Sequence, residues 1–160
     1  MKNLFPRLTS PLIILVVFLF DRMTKEWIKN KMFLGEVLEI FPFFSITYVQ
    51  NTGVAFGLGQ NNNLFFIFLS SILLLLLFAL LAYWDRTKIG VLKEKIALSL
   101  ILGGALGNLF DRVSYGSVID FLDFFVGSYH WPSFNVADSS ICVGAFILAL
   151  SQMKPTPTTI

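Results

Sequence analysis

The sequence predicts a mainly α-helical integral membrane domain: four transmembrane helices, a small extracytoplasmic β element and a short interfacial segment. Three observations carry this expectation. Apolar residues make up 56% of the 160 and charged residues 14%, against roughly 25% charged in soluble domains. With 18 Phe and a mean hydropathy of +0.75, a soluble core of this size could not enclose the apolar surface. Four apolar segments then recur along the chain, near the ~20 residues that a membrane helix needs. Between the first two lies a stretch rich in β-branched and aromatic residues, the pattern of strands. A single domain over residues 1–160 accounts for the length.

The first span is expected over about residues 8–29. It contains "PLIILVVFLF" (11–20) and continues for about two amphipathic turns. Lys2 and Arg7 ahead of an apolar run resemble the start of a secretory signal, but "DRMTKEW" stands in place of a small-residue cleavage site. The segment therefore reads as an uncleaved helix. An outer β-type loop covers about 35–60. Its "VLEIF" and "FFSITYVQN", separated by Pro42, predict a short sheet or hairpin. In "NTGVAFG" (51–57), Gly53 and Gly57, with Gly59 beyond, permit tight backbone geometry beside Asn51. "GQNNN" (59–63) reads as an exposed turn. The second span, about 64–84, carries no charge at all.

The third span is expected over about 94–112, with "IALSLILGGALGNLF" extended backward through Glu94 and Lys95. Its small residues at 103, 104 and 107 predict close helix–helix packing. The outer interfacial segment, about 114–133, contains "SVIDFLDFF", too short to span and too apolar to float free. It is expected at the interface as a short helix or strand, with Gly127 and Pro132 turning the chain back. The fourth span, "FNVADSSICVGAFILALSQM" (134–153), holds a carboxylate in its second turn. Even mild insertion scales charge about 2.5–3.5 kcal/mol for an Asp at a membrane helix centre, less near an end. Trp27, Trp84 and Trp131 suit an interfacial aromatic belt.

Lys and Arg set the orientation. With the N-terminus inside, the cytoplasmic side receives Lys2, Arg7, Arg86, Lys88, Lys93, Lys95 and Lys154. The outer side receives Arg22, Lys25, Lys29, Lys31 and Arg112. That bias is slight, and the compact basic "DRTKIGVLKEK" connection between the second and third spans reinforces it. Both termini are thus expected in the cytoplasm. In this topology Asp21, Lys25, Asn51, Asn108, Asp111, Arg112, Asp120, Asn135 and Asp138 all fall at the outer membrane face. Four separate pieces of chain delivering polar residues to one face is what a site looks like.

Composition excludes several chemistries. A net charge of +2 suggests no nucleic-acid partner. One Cys (Cys142) and one His (His130) cannot make a zinc site of the usual ligand types. Cys142 reads as a packing residue. No nucleophile-elbow sequence supports a Ser–His–Asp arrangement. A Ser139 or Ser140 dyad with Lys25 competes poorly with both Ser hydrogen-bonding within their own helix. A carboxylate pair fits best, since two Asp held close share one proton. The ionised one deprotonates a water and the protonated one donates to a carbonyl oxygen. Asp138 and Asp120 are the candidates, with Asp123 competing for the second place. Asn135 lies three residues before Asp138, on the same helical face, able to bind substrate backbone or to orient the Asp. Asp138 also reads as a helix N-terminal acid favoured by the dipole. Asn108 and Arg112 share a face at i, i+4. Arg112 has Asp111, Asp120, Asp123 or a lipid phosphate as candidate partners. Asp21 and Lys25, also i, i+4, can form a simple helix salt bridge.

Taken in order, "DRMTK" (21–25), "NTGVAFG" (51–57), "GGALGNLFDRVSYGSVIDF" (103–121) and "FNVADSSICVG" (134–144) resemble the lipoprotein signal peptidases, or signal peptidase II family. The resemblance implies an aspartic endopeptidase of the bacterial cytoplasmic (inner) membrane, with four spans and both ends in the cytoplasm. It implies removal of signal peptides from diacylglyceryl-modified prolipoproteins, by cleavage before the lipidated Cys, without cofactor and with inhibition by globomycin. The family's catalytic aspartates fall on Asp120 and Asp138. Its supporting residues fall on Asp21, Lys25, Asn51, Gly53, Asn108, Arg112 and Asn135. Arg22 stands where many members have Gln, and Val54 where many have Ala, which bears on substrate preference only. Membrane lipids are expected partners, and a site contained in one chain makes a monomer sufficient. The rival expectation is a small proton-coupled carrier, because embedded Asp, Asn and Arg also serve proton relays. A non-catalytic assembly factor is a third.

Overall fold

The computed structural model describes residues 5–53, 59–87 and 91–153. Val54 and Gly57 of "NTGVAFG", together with Lys2, Lys88 and Lys154 of the basic set, lie outside them, as does the Arg7 side chain. In chain order the elements are α1 (Phe5–Lys31), β1 (Val37–Phe41), β2 (Phe44–Asn51), α2 (Asn63–Thr87), α3 (Leu92–Tyr115), β3 (Val118–Val126), β4 (Tyr129–His130) and α4 (Val136–Gln152).

The four strands form one antiparallel sheet in the order β1-β2-β3-β4. The segment expected at the interface as helix or strand is thus a nine-residue strand, paired along most of its length with β2. The register shifts between Ile46 and Val49, a β-bulge in β2 facing Phe121 and Asp120. A bulge adds local twist and re-aims the side chains beside it.

Helix α3 is the hub of the bundle and packs against α1, α2 and α4. Leu98 and Leu102 of α3 meet Leu74 and Leu81 of α2 in one apolar core. A second core joins the C-terminal end of α1 to the sheet, through Ile28, Met32, Tyr48, Ile119 and Phe121. The small residues expected to permit close packing do so, each against a different neighbour. A Cβ on Gly104 would collide with the Ala137 carbonyl of α4, and one on Gly107 with the Asp21 carboxylate of α1. Gly116, at φ 75°, ends α3 in a left-handed cap whose N–H donates to the Arg112 carbonyl.

Among the described residues, α2 and α3 are long and apolar enough to cross a membrane, and α4 is a shorter apolar helix of 17 residues. Only 17% of the most apolar window of α2 is buried. That distinguishes it from the core helix of a soluble protein, because Leu64, Phe65, Phe68, Leu75 and Leu76 point outward with nothing but solvent or lipid to meet them. Lipid is the environment that makes such a surface stable.

Candidate active site

Helix α4 starts beside the sheet, and its first turn is where the site is built. Asn135 is the N-cap, with extended backbone, so it stands just before the helix and not on a helical face with Asp138 as the spacing suggested. Its Oδ1 accepts from Asp138 N at 2.9 Å, while Asp138 Oδ2 accepts from Asn135 N at 3.3 Å. This is a capping box with Asp in the third position. A second cap comes from another helix, since Asp21 Oδ1 accepts from Ala137 N at 2.9 Å.

Asp138 and Asp120 are linked through amides. Asn135 Nδ2 donates to Asp120 Oδ1 at 2.7 Å and reaches the Ile119 carbonyl at 3.2 Å and Asn108 Oδ1 at 3.3 Å. Asn108 Nδ2 donates to Asp138 Oδ1 at 2.7 Å. Asn51 Nδ2 donates to Asp120 Oδ2 at 3.0 Å. The sheet register explains that bond, because Asn51 pairs with Val118 and so shares a face with Asp120 two residues along. Each Asp therefore has an Asn dedicated to it, and Asn135 touches both.

Behind this layer lies a buried ionic cluster. Lys25, fully buried, directs its ammonium at Asp21 Oδ2 (2.8 Å), Asp111 Oδ2 (2.9 Å) and Asn108 Oδ1 (3.0 Å). Three acceptors satisfy the three ammonium hydrogens. Asp21 and Lys25 thus form much more than a local helix pair. Asp111 also accepts from Arg22 and from Ile119 N at 3.2 Å. Two acids and two bases make the cluster neutral, which is how charge survives burial. The motifs alone assign Asp111 no role. Its signal in the sequence is charge balance: "DRMTK" carries one acid and two bases, Asp21, Arg22 and Lys25, so a second acid is needed to make a buried set neutral.

Arg112 takes none of the carboxylate partners that its sequence neighbours suggested. Its guanidinium donates to the Gly53 carbonyl at 2.5 Å, reaches Asn63 Oδ1 at 3.5 Å and lies over the Phe66 ring at 4.9 Å. Asn63 in turn donates to the Arg112 carbonyl at 3.0 Å, a tie at the start of α2 that the "GQNNN" turn did not announce. Gly53 N donates to Asn51 Oδ1 at 2.9 Å, which folds the chain back toward Arg112. Arg22, the departure in "DRMTK", sits away from the cavity, paired with Asp111 and Glu26 and lying over Phe110.

Asp123 faces away from Asp120, as alternation in a strand demands. It pairs with His130, whose Nδ1 lies 2.9 and 3.1 Å from its two oxygens. Ser139 Oγ and Ser140 Oγ donate to the Asn135 and Ala137 carbonyls of their own helix, at 2.9 and 2.8 Å. With Lys25 held elsewhere, neither Ser is part of a Ser–Lys dyad.

A cavity of about 700 Å³ opens on this region. Asp120, Asp138, Asn51, Gly53, Asn108 and Arg112 line it, while Asp21, Lys25 and Asn135 stand behind as supports. The remaining wall is mostly apolar and runs along α2, α3 and α4 through Leu69, Leu73, Leu77, Ile101, Ala105 and Ile141, with Ser70 and Ser139 among them. Trp131, Pro132, Ser133 and Phe134 form its rim. Burial pushes the Asp120 carboxyl up to about 7, with the Asp138 charge adding to the rise and the Asn51 and Asn135 hydrogen bonds opposing it. Among the described residues no cluster of His, Cys, Asp and Glu could hold a metal ion.

Residues 13–154 match the family model described as signal peptidase (SPase) II. A lipoprotein signal peptidase of Syntrophus aciditrophicus is 39% identical over 87% of this chain and 88% of its own length. That of Wigglesworthia glossinidia brevipalpis is 42% identical over 89% and 93%. A solved bacterial membrane enzyme, determined by the in meso method at 2.3 Å resolution, superposes with a TM-score of 0.82 at 36% identity. It covers 95% of this chain and 92% of its own. A second such structure, at 1.9 Å resolution, gives a TM-score of 0.79 at 37% identity.

Proposed function

The chain belongs to the signal peptidase II family, a family of membrane proteases that act on prolipoproteins, and from that premise we propose that it is an aspartic endopeptidase using Asp120 and Asp138. The observation that carries this reading is that the two carboxylates line one cavity, each fixed by an Asn and both touched by Asn135. Burial pushes the Asp120 carboxyl up to about 7, so in this reading it carries the proton near neutrality. Asp138, held by the Asn108 amide, is assigned as the ionised base. It takes a proton from water as the water attacks the scissile carbonyl, while Asp120 donates to the carbonyl oxygen. The tetrahedral diol collapses with a proton passed to the leaving amine. No covalent intermediate forms and no cofactor enters.

The substrate reading comes from the same cavity. Polar residues occupy its end at the sheet, and a mostly apolar wall descends along three helices. A peptide carrying a diacylglyceryl group on Cys would lay its acyl chains along that wall and bring the bond before the Cys to the carboxylates. The chain then has four spans, both termini in the cytoplasm and its site at the extracytoplasmic face of the bacterial inner membrane, and it works as a monomer. Gathering of the polar residues at one end of the bundle speaks against a carrier, whose site belongs near the midplane.

Purified protein should cleave a synthetic diacylglyceryl-Cys peptide before the Cys, and globomycin should stop it. Asp120→Asn and Asp138→Asn should each lower the rate by about 10³-fold, the scale of a lost acid or base, while still inserting and binding the peptide. Normal cleavage by both variants would sink the aspartic mechanism. Proton-dependent uptake into vesicles without cleavage would favour the carrier.

A further inference from the structure

Strand β3 carries two acidic residues on opposite faces, and only Asp120 has a part in the proposed peptide hydrolysis. Asp123 is also buried: its side chain is 8% exposed, and it lies within the nine-residue strand. A carboxylate so buried needs a partner, and His130 on β4 supplies one, with both Asp123 oxygens within 3.1 Å of Nδ1. The imidazole also stacks on Phe125, its cross-strand neighbour, at 5.0 Å between ring centroids. Strand β4 is only two residues long. Backbone pairing alone holds so short a strand weakly.

The segment after β4 gives the pair its consequence. Residues 131–134 are the rim of the cavity. They hang between His130 and Phe134, whose carbonyl accepts from Phe121 N and Leu122 N at 3.0 and 2.8 Å. Trp131 N donates to the Phe124 carbonyl at 2.8 Å, and the Phe134 ring stacks on Phe124. Both anchor points are on β3, the strand that bears Asp120. We infer that the Asp123–His130 pair is a positioning clasp for substrate: it fixes the 131–134 rim against β3, and it grips harder when the imidazole is protonated.

The other charged groups near the clasp are engaged elsewhere or stand further off. Glu39 on β1 lies opposite Ser45, which lies opposite Asp123, so it is one strand further along the same sheet face. Glu36 is turned to Phe33 N. On α1, Lys29 is taken by Glu26 and the Tyr115 ring, and Lys31 lies at the exposed end of the helix. Asp120 is on the reverse face of β3. The His130 side chain is 53% exposed, so protons reach it freely. A neutral imidazole can donate one hydrogen bond to Asp123, whereas the charged form adds an ion pair. An imidazole charges between about pH 5 and 8.

The kinetic test rests on the peptidase reading. For the wild-type protein, KM for a diacylglyceryl-Cys peptide should rise about three- to fivefold as pH is raised from 5 to 8, the scale of one half-exposed ion pair. His130→Gln keeps a hydrogen-bonding group that cannot charge. Its KM should stay flat near the high-pH value, Asp123→Asn should do the same, and the double variant should be no worse than either. The dyad's own titration acts on kcat and should persist in all of them. A second readout needs no catalysis. With Trp27 and Trp84 replaced by Phe, the emission of Trp131 should shift over the same pH range, and lose that shift in His130→Gln. A wild-type KM course and an unchanged emission shift in His130→Gln would overturn the clasp. If the wild-type protein leaves the peptide uncut, the peptidase reading falls instead, and the emission alone decides the clasp.

Discussion

At the level of single residues, the strongest physical signal is the Asp120 carboxyl. It is 2% exposed, and burial, helped by the Asp138 charge, pushes it from the ordinary 3.8 up to about 7. A raised folded value means that the folded protein holds this proton more tightly than the unfolded chain. The resulting stabilisation is complete below the ordinary value and is lost as pH rises through about 7. Asp120→Asn cannot ionise and does not suffer that loss. Thermal unfolding in detergent should therefore show the variant gaining on the wild-type protein between about pH 4 and pH 7, by a few kcal/mol in all, and holding the gain above. Altered hydrogen bonds to Asn51 and Asn135 add only an offset that pH does not change. Parallel curves for the two proteins would mean that Asp120 titrates as an ordinary carboxylate. The same proton is what the proposed mechanism uses, so catalysis and stability pull this residue in opposite directions near neutrality.

At the level of elements, the start of α4 is the critical junction. Its N–H groups are satisfied by Asn135 from its own chain segment and by Asp21 from α1, and Asp21 fits only because Gly107 has no side chain. Gly107→Ala should push the Asp21 carboxylate off Ala137 N and away from Lys25. The expected result is a loss of about 1–3 kcal/mol, as for other overpacked sites, with kcat reduced in the protein that remains folded. Gly144→Ala, whose Cβ would meet the Ala97 carbonyl at 2.5 Å far from the carboxylates, should lose comparable stability yet keep kcat in its folded fraction. Equal kcat losses in the two would show that Gly107 serves packing alone. The three-residue spacing of Asn135 and Asp138 is legible in sequence because both are local, but it reads equally as one helical face, and only the extended backbone at Asn135 makes it a capping box. What Gly107 accommodates is not legible, because the carboxylate arrives from a helix 86 residues earlier. "SVIDFLDFF" has no clean period, so only its pairing with the bulged strand β2 makes it a strand. That pairing also decides that Asp123 turns from Asp120 toward His130, a choice that a helical reading of the same segment leaves open. Arg112 had three nearby acids as candidate partners, but the fold brings the Gly53 carbonyl nearest.

At the level of the whole molecule, charge is arranged in layers. The neutral cluster of Asp21, Lys25, Asp111 and Arg22 backs the carboxylate pair, and Arg112 lies on the cavity side. In the proposed protonation state, with Asp120 neutral and Asp138 ionised, Asp120, Asp138 and Arg112 also sum to zero. A site balanced in this way can sit at the rim of a hydrocarbon layer without a large desolvation penalty. Such a position requires the sheet and the N-terminal end of α4 to lie on one side of the bilayer and the α2–α3 connection on the other. Cys labelling tests it directly. Cys142, exposed on an apolar helix, is first replaced by Ala. Single Cys are then introduced as Glu39→Cys on the exposed strand β1 and as Lys93→Cys at the exposed start of α3. In intact spheroplasts a membrane-impermeant maleimide should modify the Glu39→Cys protein, and should reach the Lys93→Cys protein only after lysis. The reverse pattern would put the carboxylates on the cytoplasmic face. Labelling of both before lysis would break the four-span arrangement itself, because α2 alone must carry the chain from one site's side of the membrane to the other's.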